Sequence, residues 1–130
     1  MDKKMFERKW LAVFAADISA QDLQKYVVRT GNYIWHVFSW ELLPKHSYLC
    51  GDAARAAYDS IDKTHAVYIE PFQHSRLSQL PSALTSSAAI EQLTEVYVAA
   101  EDFSWSYIKT HENDLCGPYF IAAKERKICV

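Results

Sequence analysis

FSWSYIKTHENDLCGPYF, Phe103 to Phe120, is the stretch on which the fold turns. Phe103, Trp105 and Tyr107 recur at period two and line one face of a β-strand, which leaves Ser104, Ser106, Ile108 and Thr110 for the other. Thr110, His111, Glu112, Asn113 and Asp114 then form a polar corner that a hydrophobic core does not absorb without cost. Cys116 follows, and Gly117-Pro118 turns the chain into a second apolar run. Strand, polar corner and returning strand thus mark both a sheet and a candidate site.

Upstream of this stretch, Glu95 to Ala100 reads as a strand joined to Phe103–Thr110 through Glu101-Asp102, close enough for a hairpin. Downstream, Gly117 to Ala123 is the last strand, and KERKICV (124–130) a solvated tail. His65 to Phe72 is a further strand, with Glu70-Pro71 at an edge or an exit because proline cannot donate to a ladder. Tyr33 to Trp40, YIWHVFSW, is aromatic and β-branched and reads as a central strand with two apolar faces. His36 then lies among hydrophobes, either as a core histidine bonded to a backbone carbonyl or water, or as a ligand or catalytic group.

Helices precede and separate these strands. Lys3 to Ala16 carries Phe6, Trp10 and Val13 on one helical face, and Ser19 with Asp22 caps a second helix that Gly31 ends. Pro44 to Leu49 is a loop, after which Gly51-Asp52 opens a helix over Ala53 to Asp62 with Ala54, Ala57, Tyr58 and Ile61 inward. Gln73 to Ser87 holds Pro81 and five serines and reads as a surface crossover or a lid, with a helical turn at Leu77 to Leu80 and a short helix from Ala88 to Leu93. The expected class is α+β, a single domain over residues 1–130. Its sheet is mixed and largely antiparallel, of about five strands, with the N-terminal helices packed on one face.

Composition narrows the function. Half of the 130 residues are hydrophobic and 14% aromatic, so the chain buries a core without metal or disulfide staples. A net charge of −2, with the Lys and Arg runs split between the two ends, gives no cationic field for nucleic acid. No stretch approaches the roughly 20 apolar residues of a membrane span, and Asp2 and Glu7 break the N-terminal pattern of a signal peptide. Three cysteines, Cys50, Cys116 and Cys129, are odd in number and widely spaced, which points to a reducing, cytoplasmic setting.

Tyr33-Ile34-Trp35-His36-Val37-Phe38-Ser39, the helix at Gly51 to Tyr58, Phe103-x-Trp105-x-Tyr107-x-Lys109-Thr110-His111-Glu112 and Cys116-Gly117-Pro118-Tyr119-Phe120 together resemble the family called domain of unknown function 4275. The resemblance spans nearly the whole chain and implies a small stand-alone bacterial or phage protein, without transferring an activity, cofactor or catalytic residue. His111, Glu112, Cys116, His36 and Cys50 are metal-ligand types, yet CxxC, HxxxH and HExxH spacings are all absent, so no metal and no cofactor is expected. A cysteine hydrolase would join Cys116 to His36 or His111 and to Glu112 or Asp114, although Cys116 precedes Gly-Pro rather than a helix, where reactive thiols usually sit. The preferred reading is a non-enzymatic protein that binds a protein partner, of immunity or antitoxin type against a basic toxin, or a phage host-interaction factor. Its candidate binding residues are His36, Trp105, Thr110, His111, Glu112 and Tyr119, and the corner is expected to fold back so that His111 meets His36.

Overall fold

The computed structural model describes residues 1–73, 76–112 and 115–123. Its helices are α1 (Lys3–Phe14), α2 (Ala20–Tyr26), α3 (His36–Ser39), α4 (Asp52–Ser60) and α5 (Ser87–Ile90). Its strands are β1 (Tyr48–Cys50), β2 (Ala66–Ile69), β3 (Ser78–Gln79), β4 (Val96–Ala100), β5 (Trp105–Lys109) and β6 (Tyr119–Ala122). The fold is α+β, with one six-stranded sheet in the order β1-β6-β5-β4-β2-β3. Every pairing is antiparallel, so the expected mixed sheet of five strands is instead an antiparallel one of six. The two additional strands are short edges, three and two residues long, where loop and helical turn were expected. Segments that brief carry too few side chains to show a period of two.

The N-terminal helix α1 packs on one face of the sheet, as expected, and α4 and α5 cover the other. On the first face Phe6, Trp10 and Phe14 of α1, Val27, Ile34, Trp35, Val37 and Phe38 pack on Ile69, Tyr97, Ala99, Ile108, Tyr119 and Ile121. On the second, Ala54 and Tyr58 of α4 and Ile90 of α5 pack on Val96, Val98, Trp105, Tyr107 and Phe120. β4 and β5 are therefore buried on both sides, and at about 25 cal/mol per Å² their large side chains supply much of the hydrophobic stabilisation. In α1 the buried stripe is Phe6, Trp10 and Phe14 at i, i+4 and i+8, whereas Val13 is exposed. The α1 N-cap is Asp2, whose carboxylate accepts the Met5 N–H at 2.8 Å, and α2 is capped by Ser19 as its sequence implies.

Two expectations are corrected where backbone geometry overrides a side-chain period. Tyr33 to Trp40 is not a strand: it turns at Tyr33–Trp35 and forms the single-turn helix α3, ending at Glu41 with φ 56°. The buried residues Ile34, Val37 and Phe38 are spaced i, i+3, i+4, a helical face hidden inside a run of β-formers. Phe103 likewise leaves the Trp105–Tyr107 face, because its φ of 58° in the hairpin turn swings its ring onto Phe6 in the first core, 5.4 Å between centroids. The 76–87 part of the crossover is tied down: Ser78 and Gln79 pair with β2, the Leu84 carbonyl accepts the Tyr58 hydroxyl at 2.6 Å, and Asp59 holds Ser87 through its N–H and Oγ.

Candidate functional site

Among the described residues the most deeply buried charged side chain is that of Glu95, an acid directly ahead of β4 with no exposed side-chain area. Its Oε1 accepts the Trp35 indole N–H at 3.1 Å, the His111 backbone N–H at 3.1 Å and the His111 Nδ1 at 2.7 Å. Its Oε2 accepts the Tyr97 hydroxyl. A carboxylate buried without partners would cost several kcal/mol, and four donors converging on it offset that cost. The donors come from the turn entering α3, from β4 and from the residue after Thr110 that ends β5's run, so one carboxylate ties three parts of the chain together. The bond to Nδ1 places that nitrogen's proton toward Glu95 and leaves Nε2 on the opposite side of the ring.

Above Glu95 the rings continue to the surface. Tyr33 stacks on Trp35 at 5.2 Å, and His111 contacts both, at 5.1 Å from Tyr33 and 5.6 Å from Trp35. Phe72 meets Tyr33 at 6.2 Å and His111 at 5.5 Å, while His36, Trp40 and Tyr26 extend the row in the other direction. Tyr26, Trp40, His36, Tyr33, Phe72 and His111 thus form one ledge of rings, of which Trp40 is 50% and Phe72 48% exposed.

The candidate residues are distributed unevenly around this ledge. His36 and His111 both belong to it and each contacts Tyr33 and Trp35, but their hydrogen bonds go to other partners. His36 Nε2 donates to the Thr30 carbonyl at 3.0 Å and its Nδ1 pairs with Ser39 Oγ at 2.9 Å, so its polar needs are met within its own segment. Burial lowers its pKa, and Thr30, Glu112 and Glu95 oppose that shift. Thr110 is fully buried and its hydroxyl donates to the Cys116 carbonyl, which closes the corner. Glu112 is exposed, and its carbonyl accepts the N–H groups of Leu115 and Cys116 at 2.9 and 2.8 Å. Asp114 lies outside the described residues.

Tyr119 and Trp105 stand elsewhere. Tyr119 is buried in the first core, stacked on Phe38 at 4.4 Å, and Trp105 faces the second core, stacked on Phe120 at 5.9 Å. Neither is brought to the ledge. Burial and the neighbouring Glu112 carboxylate push the Cys116 thiol up, against a smaller opposing effect of the Tyr119 hydroxyl. Among the described residues no group of three or more His, Cys, Asp or Glu is arranged to hold a metal ion.

Glu95, Trp35, Tyr97, Tyr26, Tyr33, Trp40 and Phe72 are the site residues that reading the sequence missed. Glu95 carried a signal: it is a single acid heading an apolar strand, EVYVAA, and a carboxylate there requires donors. At the opposite end of β4 and β5 an open cleft of 510 Å³ is lined by Asp62, Thr64, His65, Glu101, Asp102 and Trp105 among others. Two of its three acids are engaged in their own turns, Asp62 accepting the Thr64 N–H and Asp102 the Ser104 N–H. The ledge therefore remains the arrangement in which side chains from distant segments converge.

A family model described as Domain of unknown function (DUF4275) matches residues 3–120, and the chain belongs to that family. No curated protein and no solved structure matches the chain. No helix among the described residues is long and apolar enough to cross a membrane.

Proposed function

We propose that the protein is a non-enzymatic binding protein that receives a protein partner on the aromatic ledge. The observation that carries this reading is that Trp40 and Phe72, both large and apolar, are about half exposed in a row of rings that Glu95 anchors through His111 and Trp35. Aromatic side chains are the residues most enriched at the energetic centres of protein interfaces, and rigid ones lose little entropy on binding. The net charge of −2 and the exposed Glu112 beside the ledge suit a basic partner, as in an immunity or antitoxin-type protein or a phage host-interaction factor.

The enzyme alternative loses support at its nucleophile. Cys116 has its thiol pushed up rather than down, and both nitrogens of His36 are engaged with Thr30 and Ser39. What favours it is the Glu95–His111 pair, the geometry by which a carboxylate orients a general base. The two readings separate in one experiment. Wild-type protein and a Trp40→Ala/Phe72→Ala variant are used as bait in a native lysate, and one retained species should be lost with the variant alone. Retention of the same species by both, together with turnover abolished by His111→Gln, would replace the binding reading with the catalytic one.

A further inference from the structure

Glu95 fixes which ring nitrogen of His111 can meet a ligand. Its Oε1 accepts the Trp35 indole N–H and the His111 backbone N–H, both of which can only donate, so the proton of its third contact, to His111 Nδ1 at 2.7 Å, sits on the nitrogen. Neutral His111 then keeps a lone pair on Nε2, made more basic by the carboxylate behind the ring. The Glu95 side chain has no exposed area while that of His111 is 30% exposed, which places the accessible part of the ring on the edge turned away from Glu95. Among the described residues the hydrogen bonds of His111 all go to Glu95, through the backbone N–H and Nδ1. Around this acceptor Tyr33, Phe72 and His111 touch one another, with centroids 5.1 Å apart for Tyr33–His111, 5.5 Å for Phe72–His111 and 6.2 Å for Tyr33–Phe72. Rings this close leave no gap in which an ammonium group could be boxed, so a cation reaches them only on their outer faces. At the other end of the row Lys25 Nζ already lies over the Tyr26 ring, 5.0 Å from its centroid. The exposed Glu112 follows His111 in the chain and adds a carboxylate beside the rings.

We propose that the ledge is an arginine-recognition site: one arginine side chain of the basic partner lies flat on the exposed rings, donates to His111 Nε2 and pairs with Glu112. This rests on the reading of the ledge as a protein-binding face and names the side chain that the face selects. A guanidinium is planar and weakly hydrated, it stacks on aromatic faces, and its five N–H donors fan out so that one side chain serves a lone pair and a carboxylate together. A lysine ammonium is compact and strongly hydrated, and it gains little from rings that offer faces without enclosure. The bond from Nδ1 to Glu95 is what makes the imidazole an acceptor at its accessible edge, since a proton on Nε2 would turn that edge into a donor facing a donor. His111 therefore determines specificity, and Glu95 is its positioning residue.

The test uses the full chain with nitrogen-labelled histidine, the His111 signals being assigned by their loss in His111→Gln. The nitrogen spectrum of neutral His111 should show the proton on Nδ1 and none on Nε2. Titration with Nα-acetyl-arginine methylamide should then shift the His111 Nε2 resonance and the Trp40 indole resonance saturably. The matching lysine derivative should bind about tenfold more weakly, and the uncharged citrulline derivative should leave both resonances in place. Trp40→Ala and Glu112→Gln, neither of them in a core, should each weaken the arginine response severalfold. A His111 proton on Nε2, equal responses to the arginine and lysine derivatives, or no saturable shift at His111 would overturn the proposal. Those failures are separate from failure of the binding reading, which turns on whether a partner recovered from a native lysate protects Tyr33, Trp40 and Phe72, whatever side chain it presents.

Discussion

Glu95 is the residue on which the local structure most depends. Glu95→Ala leaves the Trp35 indole, the Tyr97 hydroxyl and two His111 donors without their acceptor, and removing one member of such a buried network costs about 3–5 kcal/mol. Chemical denaturation should show that loss, and a double-mutant cycle with His111→Ala should be non-additive because the two share a bond. His36 behaves differently. Its partners are Thr30 and Ser39, so His36→Ala should cost about 1 kcal/mol and add to Glu112→Ala without coupling, contrary to the shared network the polar corner suggests. Its pKa is lowered on folding, so below its ordinary value of 6.5 the unfolded chain takes up a proton that folded His36 resists. Its contribution to stability is present above pH 6.5 and is lost as pH falls through the folded value, and His36→Gln should flatten that part of the stability profile relative to wild type. The aromatic and histidine content of this site was legible in the sequence, but the acceptor that organises it was not, since Glu95 and His111 are brought together only by the β4–β5 pairing of Val96 with Lys109.

Among the elements, strands β4 and β5 and helix α4 were readable because their periods are undisturbed by special backbone geometry, which in the central hairpin is confined to the turn at Phe103. β4 and β5 alternate cleanly between the two cores, and Ala54 and Tyr58 lie four apart on α4. The segment from Gly31 to Glu41 was not readable. Gly31, Asn32 and Glu41 all have positive φ, so α3 is bounded by turns in which backbone conformation, not side-chain period, sets direction. Gly31 shows how closely this turn is tied to the ledge: at φ 110° a Cβ would come within 2.8 Å of the Tyr33 ring. Gly31→Ala should therefore destabilise by about 1–2 kcal/mol and, in the same protein, change the near-ultraviolet dichroism of the Tyr33–Trp35 stack. An unchanged near-ultraviolet spectrum at wild-type stability would show that the turn does not position the ledge.

At the scale of the whole molecule, the antiparallel sheet is sealed by helices on both faces, and its aromatic surplus divides between two uses. Trp10, Trp35, Tyr58, Tyr97 and Tyr107 are fully buried, whereas Trp40 and Phe72 stay about half exposed although the same chain could have covered them. The fold hides its other tryptophans and leaves these rings at the surface, which is the feature the proposed binding role rests on. Because they lie outside the cores, Trp40→Ala and Phe72→Ala should each change stability by less than about 1 kcal/mol, which keeps a loss of binding interpretable. The most direct test is covalent footprinting of the protein alone and after recovery from a native lysate with its bound partner. The account predicts protection concentrated on Tyr33, Trp40 and Phe72, with the Asp62–Asp102 cleft at the far end of the hairpin labelled equally in both samples. Protection of that cleft with the ledge still fully labelled would contradict it.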